Sequence, residues 1–291
     1  MLMRLLEQNL AMSLGLFLAV LVAAALHAGW NTLVKGADDK PLASASVCAG
    51  CGVIGLALLP FVSVPAPASW PYGIASGLTH VAYFTMVGKL YRTADLSVAY
   101  PVTRGSAPLV TTAVAAGLIG ELPSTFAMVG IAGLCLGILA LAADGIARGG
   151  FDRASLVAAL ATALVIAFYT IVDGLGGRAS EAPIAYAVYI MIAAAVFYLP
   201  VFGWLRGRAV LVAARRVWRT GLAGGALSFG AYTIAIVAMT KAPIGVIAAL
   251  RETSVLFAAA FGALLLGERF GPARYVAAAL VAAGLAAMKI G

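Results

Sequence analysis

The chain has 291 residues, of which 63% are hydrophobic and 10% charged, with a mean hydropathy of +1.05. Soluble domains sit near ~45–50% apolar and ~25% charged, so the composition excludes a soluble protein and makes length useless as a domain count. The net charge of +8 does not call for a nucleic-acid partner, because the basic residues fall in short loops between apolar runs, where a positive-inside bias puts them.

Ten runs are each long enough to cross a ~30 Å hydrocarbon core. Five span 11–34, 42–63, 70–90, 96–119 and 124–143, and five span 154–173, 183–204, 220–240, 243–266 and 271–290. The sequence therefore predicts an all-α membrane protein of ten transmembrane helices. The first run is too long for a signal peptide and lacks a convincing cleavage site, so it reads as a retained helix. It carries His27, Trp30 and Asn31 and ends on Lys35.

The second run holds Cys48-Ala-Gly-Cys51. A C-x-x-C inside an apolar run reads as small residues on a membrane helix, without a disulfide or a metal. In the third, Ser76, Thr79, His80 and Tyr83 recur three or four apart and share one face. The fourth repeats that rhythm in Tyr100, Arg104 and Thr111, with Pro101 and Pro108 bracketing the arginine. An arginine at that depth costs at least ~2.5–3.5 kcal/mol, so a carboxylate, carbonyls or cavity water must offset it. Two roles for Arg104 stay open: holding a substrate carboxylate, or clamping helices together.

The sixth run offers Tyr169 and Asp173, the seventh Tyr186, the eighth Ser228 and Tyr232. The ninth carries Arg251 and Glu252, which as neighbours point ~100° apart and do not pair with each other. Glu252 is the one acid expected far from a helix end. Glu121 and Glu268 follow glycines at helix ends and are expected to cap the next helix. Tyr72, Tyr91, Tyr198 and Tyr275 lie near run ends and read as interface anchors.

The two sets of five are related. Arg104, Glu121 and Gly137 map onto Arg251, Glu268 and Gly284, each by adding 147, and Leu-Thr-His-Val-Ala-Tyr83 parallels Leu-Ser-Phe-Gly-Ala-Tyr232. With an odd number of spans per half, residues 146–291 enter from the face opposite to residues 1–145. That is an inverted repeat, which puts the site near mid-membrane between halves. Counted by side, four Lys and Arg residues fall on the face of the N-terminus, thirteen on the other and two inside spans. The positive-inside rule then puts both termini outside the cytoplasm. Because Tyr100, Pro101 and Pro108 surround Arg104 while the run of Arg251 has no internal proline, the chemistry is expected to lean toward the first half.

The frame Leu-Ser-Val-Ala-Tyr-Pro-Val-Thr-Arg-Gly-Ser-Ala-Pro, the Gly-Glu ends, the paired halves and His-Ala-Gly-Trp-Asn at 27–31 resemble the drug/metabolite transporter superfamily. More narrowly, they resemble its EamA-type ten-helix exporters and the YddG-like bacterial amino-acid exporters. The resemblance implies a basket around a central cavity, alternating access, a bacterial inner-membrane location and export of amino acids or similar metabolites. Trp30, Asn31, His80, Tyr83, Tyr100, Arg104, Tyr169 and Tyr232 are the candidate substrate contacts, and Pro101, Pro108, Arg251 and Glu252 the structural or gating positions. Aromatic or apolar cargo suits the tyrosines. A proton-coupled multidrug exporter wants a mid-membrane carboxylate, and the first helix has none. An intramembrane enzyme would need H-E-x-x-H, G-x-S-x-G or a similar set, and none is present. A receptor would need a signalling domain or long tail. No cofactor is expected, the partners are a small molecule and lipid, and a repeat within one chain makes a monomer sufficient.

Overall fold

A computed structural model of the chain describes residues 12–93, 96–147, 152–207, 209–266 and 272–290. Within them the regular structure is helical. The α-helices are α1 (Leu14–Lys35), α2 (Lys40–Leu58), α3 (Trp70–Thr93), α4 (Leu96–Ile119), α5 (Thr125–Ala147), α6 (Arg153–Ala179), α7 (Pro183–Arg206), α8 (Ala209–Met239), α9 (Ile244–Arg251), α10 (Ser254–Leu266) and α11 (Pro272–Ile290). Counting α9 and α10 as one interrupted run gives ten.

Seven helices, α1, α2 and α4–α8, are long and apolar enough to cross a membrane among the described residues. The other expected spans fall short for visible reasons. The third is diluted by its polar face, the ninth is cut in two, and the last has a described apolar stretch of only Val276–Lys289.

Helix starts follow from their caps. Ser13 accepts from the Leu16 amide, Asp39 from Leu42 and Asp152 from Ser155, while Pro183 opens α7. α4 ends at Gly120, whose φ of +69° a residue with a Cβ adopts only under strain. Ser124, not Glu121, caps α5, by accepting from Ala127. Pro101 and Pro108 do not break α4, which runs through both. The break comes instead in the ninth run, which has no internal proline. After Arg251 the backbone tightens, Glu252, Thr253, Val255 and Leu256 each bonding to the carbonyl three residues back, and a second helix begins at Ser254. A 3₁₀-like stretch inside a helical run marks strain or a hinge.

Hydrogen bonds tie alternate helix ends together at one face. Lys289 donates to the Met12 carbonyl, the Ala66 amide to Ser180, and Arg178 to Met239 and Ala242. At the opposite face Arg206 makes a two-pronged ion pair with Asp39, both contacts at 3.0 Å. We call these the Arg178 face and the Arg206 face.

Small residues let backbones touch, as apolar association without water requires. A methyl group on Gly130 would come within 2.6 Å of the Gly284 carbonyl oxygen, which joins α5 to α11. Gly50 of α2 lies against the backbone of Gly221 and Gly225 in α8. Outward-facing Leu18, Val53, Ile74, Leu136, Leu164 and Val196 give the bundle an apolar exterior. The anchor positions differ from expectation. Tyr198 is buried, stacked on Phe84 at 4.6 Å, and exposed Trp70, Trp204 and Trp218 stand near the helix ends instead. The side chains of Tyr91 and Tyr275, and all of Glu268, lie outside the described residues.

Candidate functional site

Among the described residues four Arg, Asp and Glu side chains are buried deep in the bundle: Arg104 at 5% exposure, Glu252 at 4%, Arg251 at 8% and Asp173 at 0%. Arg104 stands ~12 Å along α4 from the Arg206 face, and Glu252 ~12 Å along α9 from the other. The two meet at 2.7 Å, Nε to Oε2, so the pair joins a helix of each half near mid-depth. The interruption after Arg251 brings the Glu252 carboxylate to this spot, with the Thr253 hydroxyl bonded back to the Leu250 carbonyl. Glu252 thus passes over its sequence neighbour for the arginine of the other half.

His27 of α1 stands on the far side of Arg104, its Nε2 3.4 Å from Nη2, while Trp30 Nε1 lies 3.3 Å from its Nδ1. Both neighbours are donors and a neutral imidazole has one acceptor nitrogen, so only one is satisfied at a time. Asn31 donates instead to the His27 carbonyl of its own helix at 2.8 Å.

The larger cavity, about 70 Å³, is walled by α1, α2, α3, α6, α7, α8 and α9. Trp30, His80, Tyr83, Tyr169, Tyr232 and Arg251 are among its lining residues, with Cys48, Cys51, Phe84 and Met191 adding apolar surface. His80 is the hub of an aromatic cluster, its ring centroid 4.7 Å from Tyr169, 6.0 Å from Tyr232 and 6.5 Å from Tyr83. Its Nδ1 lies 2.9 Å from the Ser76 carbonyl, which only an N–H can satisfy, so in the neutral ring Nε2 is left as an acceptor. Cys48, Cys51 and Cys135 are buried thiols.

A second void of about 10 Å³, roughly one water, lies against Arg104, Pro108, Thr111, Tyr169, Arg251 and Glu252. Arg104 lines this void and not the larger cavity. Arg251 lines both, with its guanidinium carbon 5.2 Å from the Tyr232 ring centroid. Among the described residues no carboxylate stands within ion-pair distance of Arg251. The geometry therefore fits Arg104 as the helix clamp and leaves Arg251 as the cation facing the cavity. The interruption beside Arg251 and the two buried acids lie within 146–291, while Arg104 and its prolines lie within 1–145.

Six of the eight candidate contacts sit at these two cavities: Trp30, His80, Tyr83, Tyr169 and Tyr232 at the larger, Arg104 and again Tyr169 at the smaller. Asn31 and half-buried Tyr100 line neither. Pro101 and Pro108 are buried along α4 beside the clamp. Asp173 escaped the list of candidate contacts. It receives the hydroxyls of Tyr186 and Tyr232 and is fully enclosed. Glu252 is therefore not alone as a buried acid far from water. The Tyr169–Asp173 spacing of one turn was the available signal, but one turn from a helix end normally reads as a surface carboxylate.

Between this network and the Arg178 face lies a seal. Glu121 pairs with Arg178 and accepts from the Ile244 amide at 2.8 Å, so it caps α9 of the other half rather than the helix that follows it. The larger cavity lies on the other side of His80 and Tyr232, reaching to Ser44 and Trp30 about one turn from the Arg206 face.

Residues 153–289 match the EamA-like transporter family. That match covers just under half of the chain, and the seven membrane-length helices among the described residues support a multi-pass membrane protein. One solved structure, described as a crystal structure of a protein, aligns with 94% of this chain and 96% of its own at a TM-score of 0.72 and 20% identity, a likeness of fold. No curated protein sequence matches significantly.

Proposed function

We propose that the chain is a secondary exporter of amino acids, aromatic or apolar ones preferred, working by alternating access between two inverted five-helix repeats, 1–145 and 146–291. The observation that carries the substrate class is Arg251. It is a buried guanidinium without a carboxylate partner among the described residues, on the wall of a cavity otherwise lined by tyrosines, Trp30, Phe84 and Met191. A free amino acid brings a carboxylate for the first and apolar or aromatic surface for the rest.

At about 70 Å³ the cavity is far below the ~300–1,000 Å³ of open ligand pockets, which suits a collapsed, unloaded state. The seal at the Arg178 face and the offset toward the Arg206 face suit a chain resting inward, with the arginine-rich loop at 206–219 in the cytoplasm and both termini outside. The α5–α11 seam favours the repeat. Gly130 meets Gly284 and Gly137 meets Ala277, and adding 147 turns the first contact into the second.

The test is counterflow of labelled phenylalanine in proteoliposomes. His80→Ala and Tyr83→Ala are expected to lose it, and Arg251→Gln to raise KM about tenfold or more, the weight of one charged hydrogen bond. Phenethylamine, which lacks the carboxylate, should not feel the Arg251 change. Transport of cationic drugs with no transport of any amino acid would overturn the substrate claim. Asp173 lends weight to proton coupling, the feature a multidrug exporter would need, but an arginine on the cavity wall speaks against cationic cargo.

A further inference from the structure

The Asp173 carboxylate has no assigned task, and its surroundings can be taken helix by helix. From α7 comes the Tyr186 hydroxyl, 3.4 Å from Oδ1, and from α8 the Tyr232 hydroxyl on Oδ2. From α3 Ser76 and His80 face it, the His80 Nδ1 being held by the Ser76 carbonyl; Tyr72 of the same helix neighbours Tyr186. From α9, Arg251 reaches the Tyr232 ring while Glu252 is turned to Arg104, the charged group of α4. On α6 itself Tyr169 lies one turn back, and Arg178 is engaged by Glu121 and the Met239 and Ala242 carbonyls. The carboxylate thus has hydroxyl donors and no basic group within ion-pair distance among the described residues.

A buried carboxylate held by neutral hydroxyls is stable while they remain in reach. Tyr186 of α7 and Tyr232 of α8 both reach over to Asp173, so an opening that parts α6 from either helix acts on this cluster. Parting them removes a hydroxyl, and a bare charge at that depth is too costly to persist; a proton on the carboxylate removes the cost. Tyr232 also carries the second link, for its ring lies under the Arg251 guanidinium. A carboxylate arriving at Arg251 and a proton arriving at Asp173 therefore act on the two ends of one side chain.

Resting on the amino-acid reading above, we propose that Asp173 is the proton-binding site of the transport cycle, coupled to cargo at Arg251 through Tyr232. The step is a transfer from hydronium to carboxylate, giving a carboxylic acid and water, and it is reversed on the other side of the membrane. Asp173 touches no cargo; it acts through Tyr232 as a positioning residue.

The experiment uses the full chain in liposomes with an entrapped pH-sensitive dye, and in nanodiscs for infrared difference spectra on acidification. The wild type should show phenylalanine-driven proton movement and a carboxylic C=O band that disappears in Asp173→Asn and persists in Glu252→Gln. Asp173→Asn should weaken pH-gradient-driven phenylalanine accumulation about tenfold, within the usual range of coupling between two sites, while counterflow stays within about threefold. Asp173→Glu should restore part of the gradient response, which a purely structural loss would not allow. Gradient-driven accumulation unchanged in Asp173→Asn, or a C=O band indifferent to that substitution, overturns the proposal. If phenylalanine is not carried at all, the amino-acid reading fails, and the infrared comparison alone decides whether Asp173 takes the proton.

Discussion

Replacing Glu252 by Gln keeps the shape at the centre of the bundle and deletes one charge. With Nε and Oε2 at 2.7 Å the centres of charge lie roughly 4 Å apart, which at an effective dielectric of ~20 is about 4 kcal/mol. Both groups are nearly inaccessible, so solvent screening takes little of this away. What remains for Arg104 is the amide oxygen of the new residue and the long contact to His27, and breaking a buried pair from one side typically costs ~3–5 kcal/mol. We expect Glu252→Gln to lose about 3 kcal/mol in unfolding by SDS titration of mixed micelles, followed by circular dichroism. Arg104→Met with Glu252→Leu should return to within about 1 kcal/mol of the parent, because neither desolvated charge is then present. With Arg104→Met and Glu252→Leu as the single variants, each losing about 3 kcal/mol, the cycle should give a coupling of about 5 kcal/mol. A Gln variant within about 0.5 kcal/mol of the parent, or a double variant as weak as the two single losses summed, would refute the clamp.

Three further expectations concern the periphery. Glu121→Ala removes the cap of α9 and the partner of Arg178, costing about 1–2 kcal/mol after allowing for partial exposure, and hydrogen exchange at the Ile244 amide should rise about tenfold. Gly50→Val should abolish folded expression, since its side chain would enter the Gly221 backbone, whereas Gly117→Ala, with open space around it, should be neutral or gain up to ~1 kcal/mol on heating. Asp152, an exposed cap, is held below the usual carboxylate range by the hydroxyl and amide of Ser155. Its contribution is therefore present at neutral pH and lost as the pH falls through that lowered value, which amide exchange at Ser155 as a function of pH would reveal.

The helical architecture was legible because period and length suffice for it. The spacing of 147 that links Arg104 with Arg251 and Gly137 with Gly284 is a property of the sequence itself. What could not be read was who meets whom. Glu252 sits next to Arg251 in sequence yet bonds Arg104, because the pairing depends on how two distant helices cross. Glu121 points at a helix start 123 positions away for the same reason. Tyr198 and Asp173 near helix ends look like residues of the interface, and only packing takes them inside. The break after Arg251 carries no proline or glycine, the usual punctuation, so local propensity gave no warning of it.

That last point has a mechanical side. Glu252 holds ψ at −13°, about 30° from the helical value, in a stretch of Arg-Glu-Thr that is free to be helical. A gap opened by glycine or proline is permanent, whereas this one is kept open by the pull of an arginine across the bundle and a hydroxyl folded back on Leu250. Release the arginine and α9 and α10 can anneal into a single rod. The ninth run then behaves as a spring with a latch, and the ion pair that holds the two halves together is also the catch that keeps it bent.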